Sequence, residues 1–446
     1  MKRNCHKVTP LSLLTLGLFC VVGVAHATDS PPALTLGKAV GLAMDRYPTV
    51  MEAREHVKEA DAAISFVVSQ VFPNISAQGN ASYNKSAADN PLALFGAEPY
   101  NQYFVNLSFN QPIYQGGALW AGLMGARKEK QVQEMNLDLA QRDLTYSVLQ
   151  SFYGILFQQR QLETFHDAED VLKQTMTVSE RYYHIGRTQL VDLLQIKTKY
   201  ALLAAQIAKT ENDLQTAAAH LAILLRENQA RQLKVVGKLQ PVDRKVISNL
   251  ILEKKRELTE IRRSNTILSE FEDRREVAMS GDYPKLNLSG QWGRVDYAKS
   301  QLLDDNATQW TIGLNLTIPI FTGLSSFHQK AILASQEAEL QFQQQGLFDQ
   351  LSFNQVQVEK NLDAAQAVLV STQQASEFAT QSLKEAQKDY KLQRISSLQF
   401  QTSQSDFLTA KTAYNQAVFD NITALANYFV STGIPLSELV TLLESG

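Results

Sequence analysis

From Ala118 to Tyr183 apolar residues recur at helical spacing with few breakers, and Leu324 to Tyr390 repeats the pattern. Leu137 and Leu144 stand one heptad apart, as do Leu149 and Leu156. In the second run Leu333, Leu340 and Leu347 keep the same spacing, followed by Leu362, Leu369, Leu383 and Tyr390. At 1.5 Å per residue each helix is roughly 100 Å long. A helix of that length cannot be an element of a globular core; it must lie along another long helix. Each run ends in a break, at His184-Ile185-Gly186-Arg187 and at Lys391 to Ser397, and a helical pattern then returns over Leu190–Leu225 and Leu398–Val430.

Each long helix is fed by a strand. In Tyr103 to Gly117 the residues Tyr103, Val105, Leu107 and Phe109 alternate with Asn106, Ser108 and Asn110. Pro112 lacks an N–H and is expected to end the ladder; Gly116 and Gly117 free the backbone to turn. In Gln309 to Gly323 the set Trp310, Ile312, Leu314 and Leu316 alternates with Gln309, Thr311, Asn315 and Thr317, with Pro319 and Gly323 as the break. Pro112, Gly116, Gly117, Pro319 and Gly323 are thus expected at the joint between strand and helix. Asn74 to Tyr83 and Leu286 to Trp292 alternate in the same way.

Landmarks recur in order: Pro73 with Pro284, Pro112 with Pro319, Tyr114 with Phe321, Gly116 with Gly323, Tyr183 with Tyr390. Their offset stays near 210, drifting by about four residues. The fold expected is mainly α with a β portion, a duplicated helix–strand–strand–long helix–helix unit. The first repeat spans 28–238, with strands about 74–84 and 102–112 and helices about 118–183 and 188–226. The second spans 239–446, with strands about 285–295 and 308–319 and helices about 324–391 and 397–431.

Four amphipathic strands of roughly 9–11 residues match a tilted membrane crossing. Four cannot close a membrane barrel, whose smallest forms have about eight, and lipid does not tolerate an open sheet edge. Strands that span a membrane must therefore share a barrel between copies of the chain. The polar set would line a wet interior, and Tyr103, Trp292 and Trp310 would meet the lipid interface. A soluble sandwich of two hairpins is the alternative.

Residues 1–27 read as a secretory signal: Lys2, Arg3 and Lys7, then an apolar run from Leu11 to Val24, then Ala25-His26-Ala27. An uncleaved anchor and a lipoprotein modified at Cys20 are the alternatives. Cys5 and Cys20, the two cysteines of the 446 residues, lie inside it, so a processed chain has no thiol chemistry. Removing the three cations takes the formal charge from −3 to about −6. No basic run with interleaved aromatics suggests nucleic acid. No metal-ligand spacing, nucleophile elbow or phosphate loop appears, so neither enzymatic activity nor a cofactor is expected.

The ordered set Tyr47-Pro48, Pro112 to Gly117 (PIYQGG), Arg181 to Gly186 followed by Leu190 to Leu194, and Pro319 to Gly323 (PIFTG) resembles the TolC-like outer-membrane efflux protein family. The resemblance covers essentially all of the chain after residue 27. It implies a homotrimer whose twelve-stranded barrel crosses the outer membrane of a Gram-negative bacterium and continues as an α-helical barrel through the periplasm. The turns at His184, Ile185, Gly186 and Arg187 and at Gln393 would be the tips, docked by a periplasmic adaptor (membrane fusion) protein and served by an inner-membrane pump or ABC exporter. In relatives a Tyr–Asp hydrogen bond helps close the tip; the matching residues are Tyr390 and Asp192. A gate arginine falls at Ile395, beside Arg394. Two acidic ring positions fall at Gln399 and Thr402, which implies a neutral constriction.

The function so implied is a passive export duct for small molecules, opened as the inner hairpins splay. The same duct in a type I protein-secretion system is one alternative. A periplasmic coiled-coil scaffold without a pore is another, of a different class.

Overall fold

The computed structural model describes residues 34–85, 99–227, 233–242, 257–297 and 308–445. Residues 1–27, read above as a secretory signal, lie outside them.

Helix α1 (Leu36–Arg46) and α2 (Pro48–Ser69) meet at Tyr47, which is extended, because Pro48 suits the first position of a new helix and not the interior of an old one. Strands β1 (Asn74–Asn84) and β2 (Tyr100–Gln115) follow, then α3 (Ala118–His184) and α4 (Leu190–Leu225). The order repeats with α5 (Thr259–Met279), β3 (Lys285–Asp296), β4 (Thr308–Thr317), α6 (Ser325–Lys391) and α7 (Ser397–Thr432). The chain closes with α8 (Leu436–Ser445). The alternation does not reveal α8: Pro435 begins a new helix after Gly433 and Ile434, and Leu436 and Leu439 seat it in the core.

The strands form one antiparallel sheet in the order β1-β2-β3-β4. Pro112 does not end the ladder. It pairs with Asn287, the register shifts at a bulge between Pro112 and Tyr114, and pairing continues through Tyr114–Leu286 and Gln115–Lys285. A bulge is one of the few places where a sheet tolerates a residue without an N–H. Pro319, by contrast, lies beyond the end of β4. The two prolines match in sequence but not in role.

α3 lies against α4, α5, α2, α7 and α1, while α6 packs mainly on α7 and α5. Two apolar cores result. The larger joins Phe152, Leu149 and Leu156 of α3 to Leu221 and Leu225 of α4, Ile422 and Phe429 of α7, and α1 and α8. There Leu34 and Val235 form a parallel bridge, and Gly37 N donates to Glu444 Oε1 at 2.7 Å. The smaller lies near the turns and gathers Leu172, Ile196, Leu203, Leu383, Tyr390, Phe400 and Phe407.

The twin helices are not buried alike. Each has 67 residues. α3 is covered at nearly every turn from Leu144 to Leu156, whereas Phe327, Phe342, Phe353 and Phe378 of α6 are 68–72% exposed.

Candidate functional site

The register sorts the sheet into two faces. Ser76, Ser108, Gln291 and Thr311 stand in one cross-strand row, and Gln78, Asn106, Gly293 and Gln309 in the next. Ser76 and Ser108 are hydrogen-bonded at 2.8 Å. The opposite face carries Ala77, Leu107, Trp292 and Trp310 in one row and Ile75, Phe109, Gly290 and Ile312 in another. Leu314 and Leu316 extend it towards the helices, and most of it is bare: Ile75 is 71% exposed and Trp310 70%. An apolar groove of about 630 Å³ runs across it between Ile75, Leu107, Leu288 and the two tryptophans.

The Trp292–Trp310 row sits near the strand ends remote from the helices, just inside Arg294 and Asp296. Amphipathic rings beside charge suit a lipid–water boundary. Two glycines of this wall lie close against β2, Gly293 against its backbone and Gly290 against a ring that would have to move to admit a side chain. A Cβ at Gly290 would lie 2.2 Å from the Phe109 ring, and one at Gly293 would lie 2.5 Å from Asn106 Cβ.

At the joint, Gly116 (φ +63°) and Gly117 (φ +86°) turn β2 into α3. A Cβ at Gly116 would meet Ser280 O at 2.6 Å, while Gly117 faces open space. The second joint uses Gly323 (φ 66°) and Leu324 (φ 64°), a leucine where the first has glycine. Ser326 Oγ donates to Asp282 there. Ile320 and Phe321 are 96% and 79% exposed.

The two turns at the other end share one backbone design. Arg187 N donates to Tyr182 O and Gly186 N to Tyr183 O; Arg394 N donates to Asp389 O and Gln393 N to Tyr390 O. Gly186 has φ 72° and Gln393 φ 59°, so the glutamine occupies the left-handed region that glycine prefers. It also holds the neighbouring turn: Arg187 Nη1 donates to Gln393 Oε1 at 3.2 Å. His184 and Ile185 are exposed.

Asp192 lies in the first turn of α4, where the helix dipole favours a carboxylate, and accepts from Thr188 Oγ1 at 3.0 Å. Tyr390 stacks on Phe400 at 5.2 Å. Burial pushes its hydroxyl above the ordinary tyrosine value, and Asp192 adds to the shift while Ser179 opposes it. Yet neither Tyr390 Oη nor Ser179 Oγ makes a hydrogen bond among the described residues. Within one chain, then, Tyr390 and Asp192 are near but not joined. Arg394 Nη1 lies 3.6 Å from Asp389. Gln399 completes a capping box with Ser396, and Thr402 Oγ1 donates to Leu398 O at 3.0 Å. Both are exposed, and both spend their side chains on their own helix.

Sequence reasoning missed the contacts that join the two hairpins. Tyr182 Oη donates to Lys391 O at 2.7 Å, Gln387 to Gln174 at 3.1 Å and Gln401 to Gln195 at 3.3 Å. Each links residues separated by nearly one repeat length, which is the signal that would have found them. Among the described residues no group of His, Asp or Glu could hold a metal ion, and no helix is long and apolar enough to cross a membrane.

Residues 39–225 match the family model of the outer membrane efflux proteins. The chain is similar in fold to the outer membrane protein VceC of Vibrio cholerae, at TM-score 0.78 and 19% identity over 89% of this chain and 96% of that one. It is similar to the MtrE outer membrane channel of Neisseria gonorrhoeae in its open state, at TM-score 0.74 and 16% identity over 90% of this chain and 89% of that one. Protein CyaE of Bordetella pertussis is 20% identical over 328 residues, 72% of this chain and 67% of that protein. The resemblance read from the sequence holds, and the fold is that of the TolC-like channels.

Proposed function

We propose that this chain, an outer membrane efflux protein by its family match over residues 39–225 and by its fold, is the outer-membrane duct of a tripartite export system. One observation carries the reading. A four-stranded sheet with a bare apolar face, a polar face and no strand paired to the outer edge of β1 or β4 among the described residues stands at the end of helices roughly 100 Å long. Such a sheet is stable in lipid only when closed by further copies, apolar side outwards. Three copies give twelve strands, and the Asn, Ser, Gln and Thr rows then face a water-filled lumen.

The helices extend the lumen into the periplasm, and the bare phenylalanines of α6 are covered by the neighbouring copy. The tips bearing Gly186, Arg187 and Gln393 offer themselves to a periplasmic adaptor and, through it, to an inner-membrane pump that supplies the energy. The duct is a passive conduit for small molecules. With Gln399 and Thr402 in place of carboxylates, the closed entrance blocks cations weakly.

Planar-bilayer recording of the purified protein tests this reading. Stepwise single-channel conductance is expected; a pore-free scaffold gives none. Asp192→Ala and Tyr390→Phe are each expected to raise the conductance by loosening the closed tip. No change in either removes both residues from the gate.

A further inference from the structure

The apolar band of the sheet is too short to cross the hydrocarbon layer by itself. It begins at the Trp292–Trp310 row and ends at the Leu286–Leu316 row, six residues along each strand. Beyond the tryptophans Arg294 and Asp296 stand on the same face, so the band does not continue in that direction. At about 3.4 Å per residue and a tilt near 40°, six residues give roughly 16 Å of thickness. A barrel in the outer membrane shows lipid an apolar band of about 25 Å. The missing part, roughly 9 Å or about six residues of helix, must come from the joint and the helix ends beside it.

Large apolar side chains are bare at that level. Phe66 and Phe72 at the end of α2, Tyr283 and Phe321 at the joints and Trp120 of α3 are 53–79% exposed. A neighbouring copy does not reach Trp120, because this end of α3 is already packed between α2 and α5 of its own chain. Lys130 meets Asp61 of α2 at 2.7 Å and Lys128 meets Asp273 of α5 at 2.8 Å, one on each side. A Cβ at Gly122 would lie 3.7 Å from Val67 of α2 and 3.9 Å from Val277 of α5. Trp120, about 200° round the helix from Gly122, points out of the wall these helices form. One heptad further from the sheet, on the same stripe and about 10 Å away, is Arg127. It is exposed and makes no ion pair among the described residues. An indole followed by an unpaired guanidinium on a bare helix face suits an acyl–headgroup boundary, with the ring in the apolar part and the cation at the phosphate.

We propose that the boundary of the periplasmic leaflet falls on the helices and not on the strands, with Trp120 at the acyl–headgroup level and Arg127 holding the phosphate of an anionic phospholipid. A water-filled lumen is the other place a bare tryptophan can face, and the missing thickness of the sheet decides against it. The proposal rests on the duct reading and adds the lipid it takes and the depth at which it sits.

Fluorescence tests it. The sequence has three tryptophans, so Trp292→Phe with Trp310→Phe leaves Trp120 alone, and Trp120→Phe with Trp292→Phe leaves Trp310. Trp292→Tyr with Trp310→Tyr serves where phenylalanine lowers the yield. Each variant, purified as the assembled protein, goes into vesicles of phosphatidylethanolamine and phosphatidylglycerol whose chains are brominated. Trp120 is expected to lose about half its emission or more to the bromines and to be shielded from iodide in the water. Emission unchanged by the bromines overturns the proposal, whether iodide reaches the ring, as in a lumen, or neither quencher does, as under a neighbouring copy. Trp310 separates the two readings: unquenched by the bromines, it counts against the duct itself. The headgroup is read by placing the bromines on one lipid at a time. Brominated phosphatidylglycerol is expected to exceed brominated phosphatidylethanolamine at Trp120 by about threefold or more in relative association. Arg127→Gln is expected to bring that ratio near unity while Trp120 stays quenched. A ratio near unity with Arg127 in place, or one that Arg127→Gln leaves unchanged, overturns the proposal.

Discussion

Gly116 and Gly117 are neighbours with the same backbone requirement and different surroundings, which makes them a matched pair. Alanine at Gly117 meets only the left-handed backbone penalty, about 1–2 kcal/mol. Alanine at Gly116 meets that penalty and a carbonyl oxygen at 2.6 Å. Gly116→Ala is therefore expected to destabilise clearly more than Gly117→Ala, by roughly 1 kcal/mol or more, read as the difference in thermal midpoint. Equal losses would show that the joint gives way at Ser280. Tyr153 supplies a second test at this scale. Burial, with a lesser contribution from Glu444, pushes its hydroxyl up to about 12. A raised acid favours the folded state while it stays protonated in both states. That stability is present below the ordinary tyrosine value of about 10 and is lost as the pH rises towards 12. Between pH 8 and pH 11 the parent protein should lose more stability than Tyr153→Phe; identical losses would place the alkaline sensitivity elsewhere.

The sheet is the element whose two faces must be told apart. Leu314→Arg puts a cation on the apolar face and is expected to destabilise assembly in the membrane by about 2–4 kcal/mol. Thr311→Arg puts the same cation on the polar face, where it should leave assembly intact and shift conductance towards anions. Folding yields into vesicles and reversal potentials separate the two; the opposite pattern would turn the sheet inside out. The same faces show what the sequence could convey. A period of two is local, so the strand at Tyr103 to Phe109 and its wet and oily sides were legible from the residues alone. The bulge at Pro112 was not, because whether a proline ends a strand depends on what lies across from it, here Asn287. α8 was hidden for a related reason: ten residues after Pro435 carry too short a pattern, and only docking of Leu436 and Leu439 stabilises them. The turns at Gly186 and Gln393 were visible as breaks, but the amide pairs that lock them together involve residues about 206–213 apart and needed the fold.

On the scale of the whole molecule the asymmetry between α3 and α6 carries the argument. A protomer complete in itself would bury its twin helices alike. Instead α6 shows Phe342 and Phe353 to solvent while the sheet shows Ile75, Trp310 and Leu314. Phe353→Ala distinguishes a covered surface from a bare one. On a lone chain it should change stability by no more than about 0.5 kcal/mol. In an assembly that packs the ring it should cost about 3 kcal/mol or more, seen as dissociation at lower temperature in detergent. On the duct reading, further copies of the chain finish the wall. Light scattering of the purified protein, with the bound detergent subtracted, measures this most directly. It is expected to give the mass of three chains, and a particle with the mass of one chain, soluble without detergent, would contradict it.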